Sequence, residues 1–406
     1  MGLMNKLLRI GVIVWRLILT RKSFLLPKPS NILIYGGRSD WLDECLEEIL
    51  NPYSVGKLCS LTDEVNVPVL LLSFLRRGNV KDAYYDLYIR KVNPKVVITY
   101  LDNSEEFYSI SVRNSSIKTL FIQNGVRSYY GDIFSVLDKK ELNQRYKVDY
   151  MLVFGQCVGI EYAKYISGSV VPIGSFKNNY IPIIKKKQNG TISFVSQYRN
   201  IAGIEIDGMY YTFNQFLKQS DNIIVPFLVD YAKEKGLHFK IIPSQQYSEG
   251  SKDLENEKKY YNEIVGAECD FIERKRIEDS YESIDAAEVV VAIDTSMGLE
   301  AIARGTKTAI FSIRSNTLEL ADHSDLNYGW PGNYQDSGVF WTNIPDRKFF
   351  QRILDHLLDV SYEQWSAELI EHGFWNLMQI DSGNSKLLEI IENEMDQRVH
   401  AGLTIE

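Results

Sequence analysis

The residues with the clearest chemical potential follow a buried strand and open a helix: Asp294, Thr295, Ser296, Met297 and Gly298. Thr295 or Ser296 is expected to cap that helix, and Gly298 would let a ligand approach its first turn. Unpaired N–H groups at a helix start, together with the helix dipole, favour a phosphate group. Glu300, within the same turn, could hold a ribose hydroxyl. Because such a cap alone is ordinary, the prediction of a phosphate site depends on the whole strand–cap–helix–strand block.

Other polar loops also follow predicted strands. In the first half of the chain they contain Gly36, Gly37, Arg38 and Asp40, then Asp102, then Asn124, Gly125, Arg127 and Asp132. In the second half, Arg314 follows a strand and is a candidate phosphate ligand. Two adjacent glycines permit close backbone approach, but the dinucleotide fingerprint G-x-G-x-x-G is absent. Ligands of open parallel sheets bind outside the carboxyl ends of the strands, so these loops are expected to line one cleft.

Short apolar runs alternate with amphipathic stretches through both halves, a pattern that predicts parallel sheets covered by helices. The predicted strands are Asn31–Tyr35, Val69–Ser73, Lys95–Tyr100, Lys118–Gln123, Met151–Phe154, Val170–Ile173, Thr191–Val195, His238–Ile242, Asp270–Glu273, Val289–Ile293 and Thr308–Ser312. The polar segment Pro182–Gly190 is the candidate linker. We therefore predict an α/β protein with two Rossmann-like domains, at 29–183 and 184–376, facing across a cleft. Helices at 1–28 and 377–406 flank them.

Composition and charge narrow the classes of protein. The chain has 406 residues, 45% of them apolar and 24% charged, as in an ordinary globular protein of two or three domains. A net charge of −8 argues against a nucleic-acid binder that works through bulk charge. The four cysteines lie far apart without a C-x-x-C motif, which is typical of a reduced protein without a zinc site.

Residues 1–26 are apolar and basic and contain no acid. On a helix Lys6, Arg9 and Arg16 share one narrow stripe, which suits the plane of an anionic bilayer surface. Arg9 and Arg16 interrupt the apolar run, so neither a secretory signal nor a spanning helix is predicted. We expect a cytoplasmic protein, peripheral on the inner face of the cell membrane; the alternative is a helix packed on its own domain.

The block Ser280–Ser312, the stretch Asn327–Asn343 and the ending DSGNSKLLEII resemble the donor-binding region of GT-B glycosyltransferases. Together they resemble bacterial capsule and O-antigen biosynthesis proteins over roughly Thr191–Ile391, and Phe121–Gly131 is the clearest match in the first half. The resemblance implies the GT-B architecture, with a nucleotide-sugar held by the C-terminal domain. The N-terminal domain would hold a surface-glycan acceptor, expected to be lipid-linked.

The resemblance also implies roles for particular residues. Ser196, Gln197 and Arg199 follow the first strand of the second half, where GT-B proteins often place a basic group against the donor phosphates. Arg274 follows a later strand, near the place where related enzymes hold the nucleobase. The acceptor side would consist of Gly36, Gly37, Arg38, Asn124, Gly125 and Arg127.

GT-B geometry suggests a general base on the acceptor side. All five histidines lie in the second half of the chain, so this base is expected to be a carboxylate: Asp102 first, Asp132 second and Asp40 third. The sequence has no D-x-D motif, so neither a metal nor another cofactor is expected.

Three alternatives stay open. A teichoic-acid-type polyol-phosphate transferase shares the layout, but its acceptor loop would normally carry a histidine, which FIQNGVRSYYG lacks. A nucleotide-sugar 2-epimerase shares the fold. A non-catalytic glycan-assembly partner would keep the fold without the reaction.

Overall fold

Two parallel β-sheets, one of six strands and one of five, organise the part of the chain that the computed structural model describes. That part comprises residues 20–37, 40–129, 131–139, 146–184, 190–199, 203–206, 209–244, 251–318 and 324–401. Most of the predicted N-terminal helix, residues 1–19, lies outside it. The strand pairing confirms the predicted α/β class with two parallel sheets.

The first sheet is built from the N-terminal half. The strands of this half are β1 (Arg21–Ser23), β2 (Ile32–Tyr35), β3 (Val55–Leu58), β4 (Glu64–Asn66), β5 (Val96–Thr99), β6 (Lys118–Ile122), β7 (Tyr146–Val153) and β8 (Ile166–Pro172). The helices are α1 (Trp41–Ile49), α2 (Val67–Ser73), α3 (Val80–Val92), α4 (Glu105–Arg113), α5 (Ile133–Asp138), α6 (Gln156–Ala163) and α7 (Phe176–Tyr180). Six strands form a parallel sheet in the order β3-β2-β5-β6-β7-β8, and β1 pairs with β4 separately. All of β2 and β5 is buried, as expected for a sheet covered on both faces.

The second sheet is built from the C-terminal half. The strands of this half are β9 (Thr191–Val195), β10 (Ile204–Ile206), β11 (Met209–Tyr211), β12 (His238–Ile242), β13 (Val289–Ala292), β14 (Thr308–Phe311) and β15 (Trp341–Thr342). The helices are α8 (Phe213–Lys235), α9 (Lys252–Val265), α10 (Ile277–Ala286), α11 (Ser296–Ala303), α12 (Arg314–Thr317), α13 (Arg347–Asp359), α14 (Tyr362–Glu371) and α15 (Ser385–Ala401). The parallel sheet has the order β12-β9-β13-β14-β15, and β10 and β11 form an antiparallel pair.

The strand predicted at Val69–Ser73 is wrong, because this segment belongs to helix α2. Asn66 caps the helix by accepting a hydrogen bond from the Val69 N–H at 3.1 Å, and Pro68 lies in the first turn. A short apolar run fits a buried strand and a helix equally well. The cap and the proline therefore decide the structure here.

Three further segments differ from the sequence-based expectation. Asp270–Glu273 contributes only an isolated bridge between Phe271 and Ile241 rather than a strand. The sequence predicts separate helices around Tyr211–Lys218 and Ile223–Lys235, which merge in the structure into α8 and continue through Pro226. Arg21–Ser23 forms β1, so the helix predicted over residues 1–28 does not extend through this segment. In the first and the last of these segments, pairing with distant residues decides the structure.

A buried arginine holds the chain where it leaves the first sheet. Arg304, which ends α11, donates hydrogen bonds to Asn178 Oδ1 at 3.2 Å and to the Ile181 carbonyl at 3.0 Å. Its guanidinium also forms a bidentate ion pair with Asp285 at 2.6 and 2.7 Å. Both side chains of this pair are buried. Helix α7 and the residues after it are therefore held by the second sheet's helices.

The C-terminal segment then returns to the first sheet. Asn179 accepts a hydrogen bond from the Asp381 N–H at 2.9 Å and donates one to Asn384 at 3.2 Å. Gly155 and Gly174 permit this approach, because a Cβ on them would lie 2.3 and 2.0 Å from backbone oxygens of the returning segment. Helix α15 buries Leu387, Ile391 and Met395 against the first sheet. The two sheets are thus joined by two chain crossings.

We predict that Arg304→Met lowers the free energy of unfolding by about 3 kcal/mol, because the Asp285 carboxylate stays buried without its partner. Urea unfolding measures this change. The double variant Arg304→Met/Asp285→Leu should recover part of the loss, since the uncompensated charge is then removed. A loss below about 0.5 kcal/mol for the single variant would contradict the assigned role.

Candidate functional site

A cavity of about 360 Å³ lies between the two sheets. Its lining residues follow the carboxyl ends of β6 and β7 in the first sheet and of β9, β13 and β14 in the second. Of the residues singled out from the sequence, six line it: Arg127, Gln197, Arg199, Asp294, Thr295 and Arg314. The cavity therefore brings together polar groups from both halves of the chain.

On the first-sheet side, Arg127 is held by the fully buried Asp102. Arg127 donates from Nε to Asp102 Oδ2 and from Nη2 to Oδ1, both at 2.6 Å, and lies 3.6 Å from Asp132. Asp102 also accepts hydrogen bonds from the Tyr162 hydroxyl at 2.7 Å and the Asn124 N–H at 3.1 Å. This carboxylate therefore fixes both the arginine and the loop after β6.

The surroundings of Arg127 favour its charged form. Burial by itself lowers the pKa of Arg127, but the Asp102 carboxylate beside it outweighs that effect and raises the pKa above its usual value. Burial, followed by the charge of Asp102, raises the pKa of Tyr162 well above the ordinary value for tyrosine. Tyr162 therefore remains a hydroxyl donor at neutral pH.

None of the three carboxylates expected to act as general base lines the cavity. Asp102 is 0% exposed and its oxygens are already bonded. Asp132 caps α5 by accepting from the Ile133 N–H at 2.8 Å, and Asp40 caps α1 through the N–H groups of residues 42 and 43. Their surroundings fit structural roles, which sequence could not distinguish because a cap and a base need the same residue types.

On the second-sheet side, Arg314 joins two cavity residues. It donates to Asp294 Oδ2 at 2.6 Å and to Gln197 Oε1 at 2.7 Å, and its guanidinium lies 4.5 Å from the Phe216 ring centre. Asp294 Oδ1 and Arg314 Nε are buried without a hydrogen-bond partner among the described residues. Buried polar groups are normally paired, so each of these two atoms is a candidate for a hydrogen bond to a ligand.

Arg199 differs from the other two arginines of the cavity. It is exposed, and no described carboxylate lies within ion-pair distance of it. A guanidinium without a partner is well suited to a phosphate, which it can bind through two hydrogen bonds.

The start of α11 has the expected cap, but its glycine, Gly298, packs against the sheet. Thr295 accepts a hydrogen bond from the Met297 N–H at 3.3 Å and lines the cavity, as does Leu299. A Cβ on Gly298 would lie 2.5 Å from Ala292 Cβ and 2.9 Å from an Ile310 methyl carbon. Gly298 therefore packs against the sheet and does not line the cavity, so its predicted contact with the donor stays a prediction. Ser296 does not line the cavity either.

Other residues predicted to bind the donor are engaged elsewhere. Ser196 donates to the buried Glu257, and Arg274 donates to the carbonyls of residues 243 and 244. Glu300 is buried and accepts from the Tyr281 hydroxyl at 2.7 Å. None of the three lines the cavity, and their predicted contact with the donor stays a prediction. Ser196 directly follows β9, Arg274 lies three residues before α10, and Glu300 is the fifth residue of α11. Sequence alone does not show which way such side chains point.

The glycine loop after β2 also lies away from the cavity. A Cβ on Gly36 would lie 2.2 Å from Leu101 Cδ1, and one on Gly37 would lie 2.9 Å from Asp43 Oδ2, so both glycines serve packing. Arg38 lies outside the described residues. Asn124 and Gly125 shape the loop that carries Arg127 without lining the cavity themselves.

The segment 325–331 lines one side of the cavity. The sequence indicates Asn327–Asn343 only as part of the family resemblance, without naming any of its residues as site residues. Its Trp330 ring lies 5.8 Å from that of Tyr129 and 5.7 Å from that of Phe134, both on the first-sheet side. Such aromatic contacts join the two halves across the cavity. The aromatic, glycine and proline residues of NYGWPG were the available signal.

Two parallel sheets whose carboxyl ends face a shared cavity define the GT-B fold class. A family model with the description "putative O-antigen biosynthesis protein" matches residues 120–395. That match covers more than half of the chain, which belongs to this family of O-antigen biosynthesis proteins. No curated protein sequence matches the chain.

Three solved structures are similar to this chain, and the one with a TM-score of 0.50 supports the same fold. A "putative UDP-N-acetylglucosamine 2-epimerase" from Listeria monocytogenes is 10% identical, with a TM-score of 0.50 over 90% of this chain and 96% of that one. The wall teichoic acid polymerase TagF with CDPG is 10% identical, with a TM-score of 0.48 over 91% and 89%. The UDP-GlcNAc 2-epimerase from Neisseria meningitidis, bound to UDP-GlcNAc, is 11% identical, with a TM-score of 0.44 over 90% and 98%.

Asp221 is a buried ionisable residue with a raised pKa, and it does not line the cavity. Asp221 is buried on α8 and accepts hydrogen bonds from the hydroxyls of Tyr260 at 2.9 Å and Tyr261 at 3.3 Å. Burial raises the pKa of Asp221 to about 7, despite these bonds and the nearby Arg314 charge, which lower it. The folded protein therefore holds this proton more tightly than the unfolded chain does.

We predict that Asp221→Asn increasingly stabilises the protein as pH rises. The stability linked to the Asp221 proton is fully present below pH 3.8 and is lost as pH rises through about 7. Asparagine keeps an acceptor for Tyr260 without this loss. Urea unfolding measures this change. Between about pH 4 and pH 8, the free energy of unfolding of the variant should rise relative to that of the original protein by at most about 4 kcal/mol.

The matched control is Asp230→Asn, an exposed carboxylate on the same helix. Equal pH dependence in the two variants would rule out a special role for Asp221.

Proposed function

We propose that this protein is a glycosyltransferase that transfers a sugar from a nucleotide-sugar to a surface-glycan acceptor, at the cavity between its two sheets. The observation that carries the proposal is the convergence of Arg127, Arg199 and Arg314 on one cavity from both sheets. Membership in an O-antigen biosynthesis family supports the same reaction class. The acceptor is proposed to be lipid-linked, with the protein peripheral on the inner face of the cell membrane.

The donor lies on the second-sheet side. Arg199 and the start of α11 at Thr295 hold the phosphates, whose negative charge both groups favour. The unpaired Asp294 Oδ1 and Arg314 Nε accept from and donate to polar groups of the nucleotide-sugar. Arg314 is already bound to Asp294 and Gln197, so it keeps these side chains in place before the ligand arrives.

The acceptor approaches from the first-sheet side, past Arg127. Asp102 acts through Arg127 as a positioning residue, because it is sealed beneath it. A fixed arginine can hold the acceptor in one orientation without reorganising as it binds. Water is excluded as the acceptor and donor fill the cavity.

We predict that Arg199→Ala weakens nucleotide-sugar binding by about 10-fold or more, the loss expected for a charge-assisted hydrogen bond. Thermal shift with UDP-, CDP-, CMP- and GDP-linked compounds identifies the donor class, because a ligand that binds the folded state raises the melting temperature. Titration of the stabilising compound then compares the variants. Arg90→Ala, an exposed arginine outside the cavity, is the matched control.

Turnover with the stabilising compound separates the candidate functions. Transfer of the sugar from this compound to an acceptor supports the glycosyltransferase. Transfer of a polyol phosphate from a CDP-linked compound indicates the polyol-phosphate transferase. Conversion of one free nucleotide-sugar into its epimer indicates an epimerase. Binding without turnover across the panel indicates a non-catalytic partner. No stabilisation by any compound would contradict the proposed site.

We predict that Asp102→Asn raises the acceptor KM more than it lowers kcat, because the variant loosens Arg127 rather than removing a reacting group. A general base at Asp102 would instead lower kcat by about 10²–10⁴-fold with KM unchanged. Steady-state kinetics at saturating donor distinguishes the two. Asp82→Asn, half-exposed at the start of α3, controls for the loss of one carboxylate.

A further inference from the structure

The N-terminal half presents a concentrated apolar surface, here called the leucine patch: Phe24, Leu25, Leu26, Leu71, Leu72, Phe74 and Leu75. These are seven of the sixteen large apolar side chains that are exposed among the described residues. Leu25 is 80% exposed and Leu75 is 81% exposed. Single exposed apolar side chains are normal, but a large contiguous group marks a site of interaction.

Two segments of the chain are joined to make this patch. Strand β1 pairs in parallel with β4, which brings Ser23 opposite Asn66. The Asn66 side chain donates to the Leu25 carbonyl at 2.7 Å and accepts from the Val69 N–H at 3.1 Å. A single side chain therefore holds residues 24–26 beside the start of α2.

Helix α2 is apolar on both faces. Val69 and Ser73 point inward and are fully buried. At 100° per residue, the outward arc contains Leu71, Leu72, Phe74 and Leu75, in the helix and the turn that continues it. An ordinary surface helix carries polar residues on that side. The outward face is therefore built for an apolar partner.

Basic residues flank the patch, and acids are absent from the two segments that form it. Residues 20–30 and 67–79 contain Arg21, Lys22, Lys28, Arg76 and Arg77 and no aspartate or glutamate. Arg21 lies 3.9 Å from Glu64. Lys28, Arg76 and Arg77 are exposed and have no ion-pair partner among the described residues. An apolar centre with a basic rim complements an anionic lipid surface.

We propose that the leucine patch docks this protein on an anionic bilayer, with its apolar side chains inserted at the interface and its basic rim on the lipid headgroups. The contact is interfacial, since no described helix has the length and hydropathy that a membrane span requires. It adds the segment 67–77 to the end of the N-terminal segment 1–26, and it does not depend on the transferase reaction.

The position of the patch fits an enzyme whose acceptor is lipid-linked. This step rests on the proposed function. The segment 59–77 leaves the carboxyl end of β3, and the cavity also lies at carboxyl ends of strands in this sheet. Docking through the patch therefore brings the acceptor side of the cavity towards the bilayer.

The experiment measures co-sedimentation of the full chain with vesicles of phosphatidylcholine, with and without phosphatidylglycerol. We expect binding to the phosphatidylglycerol vesicles, at least 10-fold weaker binding of Leu71→Ser/Leu75→Ser, and weaker binding as salt rises. Arg76→Glu/Arg77→Glu should lose the preference for phosphatidylglycerol. Val112→Ser/Ile370→Ser, which changes two exposed apolar residues on other helices, should bind like the original protein.

Three results would overturn the proposal. Unchanged vesicle binding of the Leu71→Ser/Leu75→Ser variant would assign membrane contact to other residues, such as the segment 1–19. An equal loss of vesicle binding in the Val112→Ser/Ile370→Ser control would show that replacing any exposed apolar residue by serine weakens binding. A self-association that this leucine variant abolishes, without vesicle binding by the original protein, would make the patch a contact between two copies of this chain. None of these measurements requires donor turnover, so failure of docking and failure of the transferase proposal are distinguishable.

Discussion

The geometry of the cavity depends on the buried contacts around helix α7. Arg304 binds Asp285 and the carbonyl groups that follow the helix, while Asn179 binds the segment that returns to the first sheet. These polar groups are buried, so they are stable only when all of them are paired. A partial separation of the two sheets would leave several of them without partners. The carboxyl ends of the two sheets are therefore held face to face, at a separation that leaves a cavity of about 360 Å³.

Within that frame, the three arginines of the cavity differ in how much freedom they retain. Arg127 is fixed by Asp102, and Arg314 is fixed by Asp294 and Gln197. Their carboxylate partners offset most of their charge but fix their orientation, which lowers the reorganisation needed when a ligand binds. Arg199 has no such partner among the described residues and keeps its full charge for a ligand. This division between fixed and unpaired arginines fits a site that must both orient and attract a charged molecule.

Strands buried on both faces were predictable from sequence because their apolar runs, such as those of β2, β5, β9 and β13, have no other stable location in a soluble domain. The contacts of polar side chains were not predictable in the same way. Asp102 meets Arg127 and Tyr162 across long sequence separations, so its type and place after a strand could not show that it would be sealed from the cavity. Gly298 likewise follows a helix cap as a ligand-binding glycine would, but only the distance to Ala292 reveals its packing role.

The error at Val69–Ser73 has a different cause from the others. Its apolar residues predicted a buried strand, whereas the structure buries Val69 and exposes Leu71 and Leu72. A soluble helix gains little by presenting leucines to water, so its sequence conflicts with its position unless another apolar phase covers it. Local rules are most often broken where function requires it. The conflict at α2 therefore argues for a partner of the protein at this face, and the exposed Lys28, Arg76 and Arg77 beside the patch indicate an anionic lipid surface rather than a neutral one.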